Sequence, residues 1–438
     1  MQAETSRKID PEEMSAIGWE LPSVRSTMEI PVYDIAFLLA PDIPIPSASG
    51  NAIATLVTTL AASMQYRSLI FSTQPDQKLM EDQLPLQYGI AYYKKPIKQS
   101  VLDKWKYLSI IKYFLITPIR YGWRQYAKDA AEACIKLNVK CLVVEDVADF
   151  GWVVRHTRKH GIKVILHQHA FTQRNYQNYL WKRIERNLDK VIFVAEKTRV
   201  MTEKKHGPID VMHTVIYNGV DLDHYDPELW VQEGRNLRHN LTFHDQQTVL
   251  TFIGRFTASK GILEIMEAYN QMQQNKLGFL LVCSRDQAVD PSFQSRFNEL
   301  KAALEKKSYK FQILENVPQD EMPIIYAASN IIIVPSVNYE GLPKVVSEAL
   351  AMGVPVVASD RGGIWELLSE GVNGWKIMDP VSPNTICDVL IKVVGITENE
   401  MKAMKEHILL EDRPRMDQQR MIKSFQKEIF SLVDTPTR

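Results

Sequence analysis

The sequence predicts an α/β protein built from two doubly wound, Rossmann-like domains facing an interdomain cleft. Three observations carry this. Short apolar, β-branched runs recur in two series of about five, and such near-continuous runs mark strands covered on both faces. The intervals between them leave room for helices, several of them amphipathic, as in KGILEIMEAYNQM (260–272). At 438 residues the chain exceeds one ordinary core, and two domains of about 150 to 220 residues each are the natural expectation.

In order, the first series reads IAFLLA (35–40), LIFSTQ (69–74), CLVVEDV (141–147), KVILHQHA (163–170) and KVIFVAE (190–196). The second reads VLTFIGR (249–255), FLLVCS (279–284), FQILENV (311–317), NIIIVPS (330–336) and VPVVASD (354–360). The break falls near IYNGVDLDHYDPEL (216–229), a turn-rich stretch followed by a polar segment up to about Gln247. Residues 1–30 read as an N-terminal extension, 31–215 as the first domain and 216–414 as the second. Ligands of open α/β sheets bind at the carboxyl ends of the strands, so a ligand between two such edges is expected.

The bulk properties exclude several classes. A hydrophobic fraction of 45% with 24% charged residues is that of a soluble globular protein. With 52 basic and 52 acidic residues, no overall field draws the chain to nucleic acid. Cys134, Cys141, Cys283 and Cys387 form no CxxC or zinc spacing and fit reduced intracellular thiols. The start, MQAETSRKIDPEEMSAIGWELP, lacks the apolar core of a signal peptide. No run approaches the roughly 18 apolar residues of a membrane span, so a cytoplasmic location is expected.

The residues with chemistry follow the strands. In PSVNYEGLPKVVSEALAMGVPVVASDRGG (335–363), Glu340 and Glu348 flank a helix that starts near Pro343. Proline suits a helix start because its missing N–H would be unsatisfied there. The amides of residues 341–345 then form an anion site. Glu348, one turn on, is better used to accept hydrogen bonds from vicinal hydroxyls such as those of a ribose. Glu340 would lie near whatever the terminal phosphate carries. A solvated loop glutamate and a helix-face ion pair are the bland alternative.

GRFTASKG (254–261) lacks the Walker spacing, but Arg255 and Lys260 bracket a turn just after a strand. They fit phosphate contacts, or ordinary loop cations. In VILHQHAF (164–171), His167 and His169 share one side of a strand end. No cysteine or carboxylate follows at a ligand spacing, so no metal is expected, and a neutral histidine holding a sugar hydroxyl is the reading. Gly50 and Asn51 form a glycine turn at a strand–helix junction, where backbone approaches a ligand closely. Residues 92–128 are rich in Lys, Arg and aromatics, which fits an anionic membrane surface, an anionic acceptor, or a cationic helix face over core aromatics. DLD (221–223) matches a metal–nucleotide DxD but falls in the apparent linker.

Taken together, GRFTASKG, EGLPKVVSEALAMGVPVVASDRGG and IYNGVD resemble the retaining glycosyltransferases of family GT4, with the GT-B fold. The pair Glu340 and Glu348 matches that family's E-x7-E signature. The resemblance is strong over 214–380, weaker over 31–213 and absent before residue 31. It implies that Arg255 and Lys260 neutralise the donor diphosphate, Glu348 binds the ribose and Glu340 lies close to the donor sugar. Gly341, Leu342, Pro343 and Lys344 would contact donor hydroxyls or phosphate, and Val317 would give main-chain contacts to the base. His169 fits the first-domain histidine, with His167 competing, and the Gly50–Asn51 loop lies on the acceptor side. The resemblance further implies a nucleotide-sugar donor (UDP being commonest), no cofactor, and a glycan, lipid-linked or small-molecule acceptor. It also implies a last helix, about 415–438, packed on the first domain. A sugar-nucleotide epimerase and a non-catalytic sugar-nucleotide-binding protein are the rival readings.

Overall fold

The computed structural model describes residues 11–20, 33–45, 51–73, 88–95, 97, 121–170, 178–244, 246–272, 277–285, 289–306 and 310–434. Gly50 and most of the basic, aromatic stretch 92–128 lie outside these residues. The chain forms two compact units. The first uses residues up to Val194, Arg199–Ile216 and the chain from Ile422, and the second uses Ala195–Thr198 and Tyr217–Met421.

Among the described residues the first unit holds eight strands: β1 (Trp19–Glu20), β2 (Ile35–Leu38), β3 (Ser68–Thr73), β4 (Tyr88–Tyr93), β5 (Cys141–Glu145), β6 (Lys163–Gln168), β7 (Lys190–Phe193) and β8 (His213–Val215). Their order is β1-β4-β3-β2-β5-β6-β7-β8, parallel except for β1 against β4. All four residues of β2 are buried, because helices such as Ala52–Ser63 and Tyr121–Lys136 supply apolar faces to the sheet. Chain order reverses between β2 and β5, which makes their carboxyl ends the ligand position of this sheet.

The expected extension before residue 31 is in part an element of this unit. Trp19 is fully buried against Phe71, Tyr93 and Tyr126, with ring centroids 4.6, 4.9 and 5.2 Å away. A large aromatic surface of this kind outweighs the polar residues around it. The last helix, Gln418–Val433, serves the first unit from Ile422 onward. Phe430 packs edge-on against Tyr66, Glu428 pairs with Lys190, and Phe425 lies 5.0 Å from the His167 ring.

The second unit holds β9 (Thr248–Arg255), β10 (Leu277–Ser284), β11 (Lys310–Glu315), β12 (Ile331–Val334), β13 (Val356–Ser359) and β14 (Gly374–Ile377). They lie in the order β11-β10-β9-β12-β13-β14, all parallel. The switch point is therefore between β9 and β12. The polar segment expected as linker carries a helix, Val231–Asn240. Gly234, its buried residue, sits where a Cβ would come within 2.7 Å of the Ala327 backbone. Backbone contact replaces an apolar stripe here, so no hydrophobic period announces this helix.

Candidate functional site

In the second unit the cationic and acidic residues gather at the switch point. Arg255 ends β9 and is exposed, with no side-chain partner among the described residues. Lys260 closes the short turn Ala258–Lys260, and Gly261 follows with φ +75°. A Cβ on Gly261 would lie 2.0 Å from the Pro335 carbonyl oxygen, so only glycine lets this turn close onto the end of β12. Across the switch point, the loop after β12 brings Glu340 back to Lys260, with Nζ 2.6 Å from Oε1. Ser336 donates to the same oxygen at 3.1 Å. The lysine expected on phosphate and the glutamate expected near the sugar thus hold each other.

The Glu340 loop is fixed by the glycine pair after β13. Glu340 N donates to Arg361 O at 3.2 Å, and Gly363 N donates to Gly341 O at 2.9 Å. Gly362, with φ +89°, has no room for a side chain: a Cβ would fall 1.6 Å from Glu340 O. Helix Lys344–Ala351 then starts with Pro343 as its N-cap, one position earlier than the first-turn placement expected. Leu342 is buried and anchors this start. The first amides of the helix lack intrahelical partners and carry its partial positive charge.

Glu348 lies on the buried face of that helix, 3% exposed. Its Oε1 accepts from Tyr225 Oη (2.9 Å) and Gln319 Nε2 (3.2 Å) and lies 3.2 Å from Lys344 Nζ. Oε2 accepts from Tyr326 Oη at 2.7 Å. Burial, reinforced by the Glu348 charge, raises both phenols far above their ordinary range, so both stay protonated donors. Val317 is half-buried two residues before Gln319, so the loop after β11 reaches this cage. DLD is a turn rather than a metal motif: Asp221 Oδ1 accepts from the amides of Asp223 and His224.

In the first unit, Asn51 caps helix Ala52–Ser63, its Oδ1 accepting from Ile53 and Ala54 N at 2.9 and 3.3 Å. His167 and His169 meet at one carboxylate that no sequence motif marks, Glu145 at the end of β5. Parallel register sets Glu145 directly beside His167, and the two-residue period of a strand brings His169 to the same side. His169 Nε2 is 2.7 Å and His167 Nδ1 3.0 Å from Glu145 Oε2, the second without hydrogen-bond geometry. The two rings are 4.2 Å apart. Asp146, in the left-handed region at φ 57°, accepts from the amides of His169 and Ala170 and locks the turn.

Burial alone would raise the Glu145 carboxyl, but the charge and contact of both histidines hold it at about 2. Burial also pulls both imidazoles down. For His167 that pull wins, whereas for His169 the hydrogen bond and charge of Glu145, with Asp146, leave its pKa raised. The shift of His167 favours the neutral imidazole expected from the sequence, and the shift of His169 favours its charged form. These three side chains are also the ones that a metal ion would use, their ligand atoms lying within 4.8 Å of one another. A tetrahedral ion with bonds of about 2.0–2.1 Å would hold its ligand atoms about 3.3 Å apart. A 2.7 Å separation is a hydrogen-bond length instead.

Known proteins match this architecture along both units. The family described as glycosyl transferases group 1 matches residues 234–408, and glycosyltransferase family 4 matches 50–224. The lipopolysaccharide 1,2-N-acetylglucosaminetransferase of Salmonella typhimurium is 22% identical over 395 residues, 86% of this chain and 93% of that protein. An uncharacterized glycosyltransferase of Methanocaldococcus jannaschii is 30% identical over 176 residues, 39% of this chain and 42% of that protein. Among solved structures, Anabaena HepE in complex with UDP aligns with a TM-score of 0.69 at 17% identity, covering 91% of this chain and 100% of HepE. Sucrose-phosphate synthase of Thermosynechococcus elongatus aligns with a TM-score of 0.71 at 16% identity, covering 91% and 99%.

The fold and these matches define a glycosyltransferase of the GT-B class. The chain belongs to the GT4-type glycosyltransferases. Among the described residues no helix is long and apolar enough to cross a membrane.

Proposed function

We propose that the chain transfers a sugar from a nucleoside-diphosphate sugar, with UDP as the nucleotide, to an acceptor hydroxyl, with retention and without a metal ion. The observation that carries this is the meeting of Arg255, Lys260, Glu340 and the helix start at Lys344 around the β9–β12 switch point. Two cations and a helix start stabilise a departing diphosphate. Charge-assisted hydrogen bonds contribute about 1.5–3 kcal/mol each, and a helix start contributes up to about 2 kcal/mol. Together they remove several powers of ten from the barrier. The UDP bound in HepE supports the choice of nucleotide.

In this reading Glu340 holds Lys260 toward the phosphate, Glu348 receives the ribose, and the leaving phosphate takes the acceptor proton. His169 holds a substrate hydroxyl from the first unit. The acceptor is a cell-envelope glycan, a glycolipid or a small natural product. The Salmonella relative, named for lipopolysaccharide, supports the first of these. The test is nucleotide release from a panel of UDP-, GDP-, ADP- and TDP-sugars in the presence of EDTA, with Lys260→Ala as control. Turnover of one donor, lost in the variant, is expected. No turnover and no thermal shift with any nucleotide would overturn the reading in favour of a protein that only resembles the enzymes.

A further inference from the structure

Glu145 has no part in the reading above, although it is fully buried and its Oε1 has no hydrogen-bond partner among the described residues. A lone carboxylate at that depth is costly unless its charge is offset. The groups facing it are few. From β6 and the turn after it come the two histidines, and from the turn after β5 comes Asp146, which is committed to backbone amides. Ile192 of β7 stands beside His167 in register, and the last helix contributes Phe425. With one imidazole protonated the cluster of Glu145, His167 and His169 is neutral. With none it carries a buried negative charge, and with both a buried positive one.

The proton belongs on His169. Its Nε2 makes the 2.7 Å hydrogen bond, and an ionised carboxylate can only accept, so Nε2 carries a hydrogen in every state. A second proton then sits on Nδ1, the nitrogen turned away from Glu145. We propose that Glu145 is a positioning residue that holds His169 as an imidazolium, so that His169 presents Nδ1–H, a donor of fixed direction and full charge, to a hydroxyl or phosphate oxygen of the substrate. His167 acts as a neutral spacer against Phe425. This rests on the proposed function only in naming the substrate, since the state of His169 is a property of the free protein.

Two measurements separate the parts. Histidine ring signals in selectively labelled protein, followed against pH, should show one residue titrating above the ordinary value of about 6.5. That signal should vanish in His169→Ala and move down in Glu145→Gln, which keeps the shape and an acceptor but removes the charge. His169 titrating at or below the ordinary value in the wild type overturns the assignment. With a donor in hand, Glu145→Gln and His169→Ala should each lower kcat at neutral pH by about 10- to 100-fold. The wild-type kcat should fall as pH rises through the raised pKa, and this fall should shift to lower pH in Glu145→Gln. The double variant should be no worse than His169→Ala alone. Additive losses would assign Glu145 a structural role and overturn the proposal. If no donor is turned over at all, the transferase reading fails, and the titration still decides the role of Glu145.

Discussion

Glu145 in the first unit and Glu348 in the second are both buried carboxylates at the carboxyl side of a sheet, yet their hydrogen-bond donors differ in kind. Glu348 is held by two phenols, an amide and a lysine, none of which changes charge between pH 5 and 8. Glu145 faces two imidazoles, one of them hydrogen-bonded to it, and imidazoles do. The same burial thus rests mainly on phenol and amide donors in one unit and on titratable imidazoles in the other.

The largest test of this contrast is Glu348→Ala. It leaves two buried phenols and Lys344 without an acceptor and should cost about 3–5 kcal/mol of stability. The loss should be the same at pH 5.5 and pH 8 by denaturant unfolding, and a pH-dependent loss would erase the distinction. Next comes Lys260→Ala, which in the proposed reaction would remove a cation from the leaving diphosphate. A kcat lower by about 10²–10³ with little change in donor KM is expected from steady-state kinetics. An unchanged kcat would remove Lys260 from the chemistry.

Glu145→Gln sharpens the other side. The wild-type carboxyl, lowered from 4.5 to about 2, contributes about 3 kcal/mol at neutral pH. Because its folded value is depressed, that stability is present above pH 4.5 and disappears as pH falls toward 2. The raised pKa of His169 contributes in the opposite sense: fully below about 6.5 and lost as pH rises through its folded value. The variant should therefore lose its deficit in acid, as read by unfolding at stepped pH. The smallest effect is expected for Tyr225→Phe, at about 1.5–3 kcal/mol of stability. It also frees part of Oε1, so nucleotide binding by calorimetry should hold or tighten. Weakened binding would instead make the Tyr225 hydroxyl a direct ligand.

Ten of the strands were legible because each is a continuous apolar run, whereas the short β1, β8 and β14 are not, and the candidate residues Arg255, Lys260, Glu340 and Glu348 stood out by their local spacings. Val231–Asn240 was not legible, since its close packing runs through Gly234 and leaves no apolar stripe. Tyr88–Tyr93 was hidden at the edge of the basic, aromatic stretch. The hydrogen bonds of Glu348 escaped for a different reason. Tyr225 and Tyr326 reach it from 123 and 22 residues away, distances that only the sheet order closes. Glu145 was in view beside Asp146 in CLVVEDV, on the same sheet edge as HQH. Its pairing with His167 depends on strand register, which no local pattern states.

The two-residue strand β1 has a consequence for the edge of the sheet it closes. It pairs Trp19 with Tyr93 and Glu20 with Tyr92, and so covers the end of an aromatic strand, YGIAYY, with a short antiparallel piece carrying an acidic side chain. Sheet edges rich in aromatic residues template intermolecular pairing when bare, and natural proteins blunt them with short strands and charges. The N-terminal residues therefore act as a guard on that edge. Removing residues 11–20 is expected to bare β4 to strand-to-strand association.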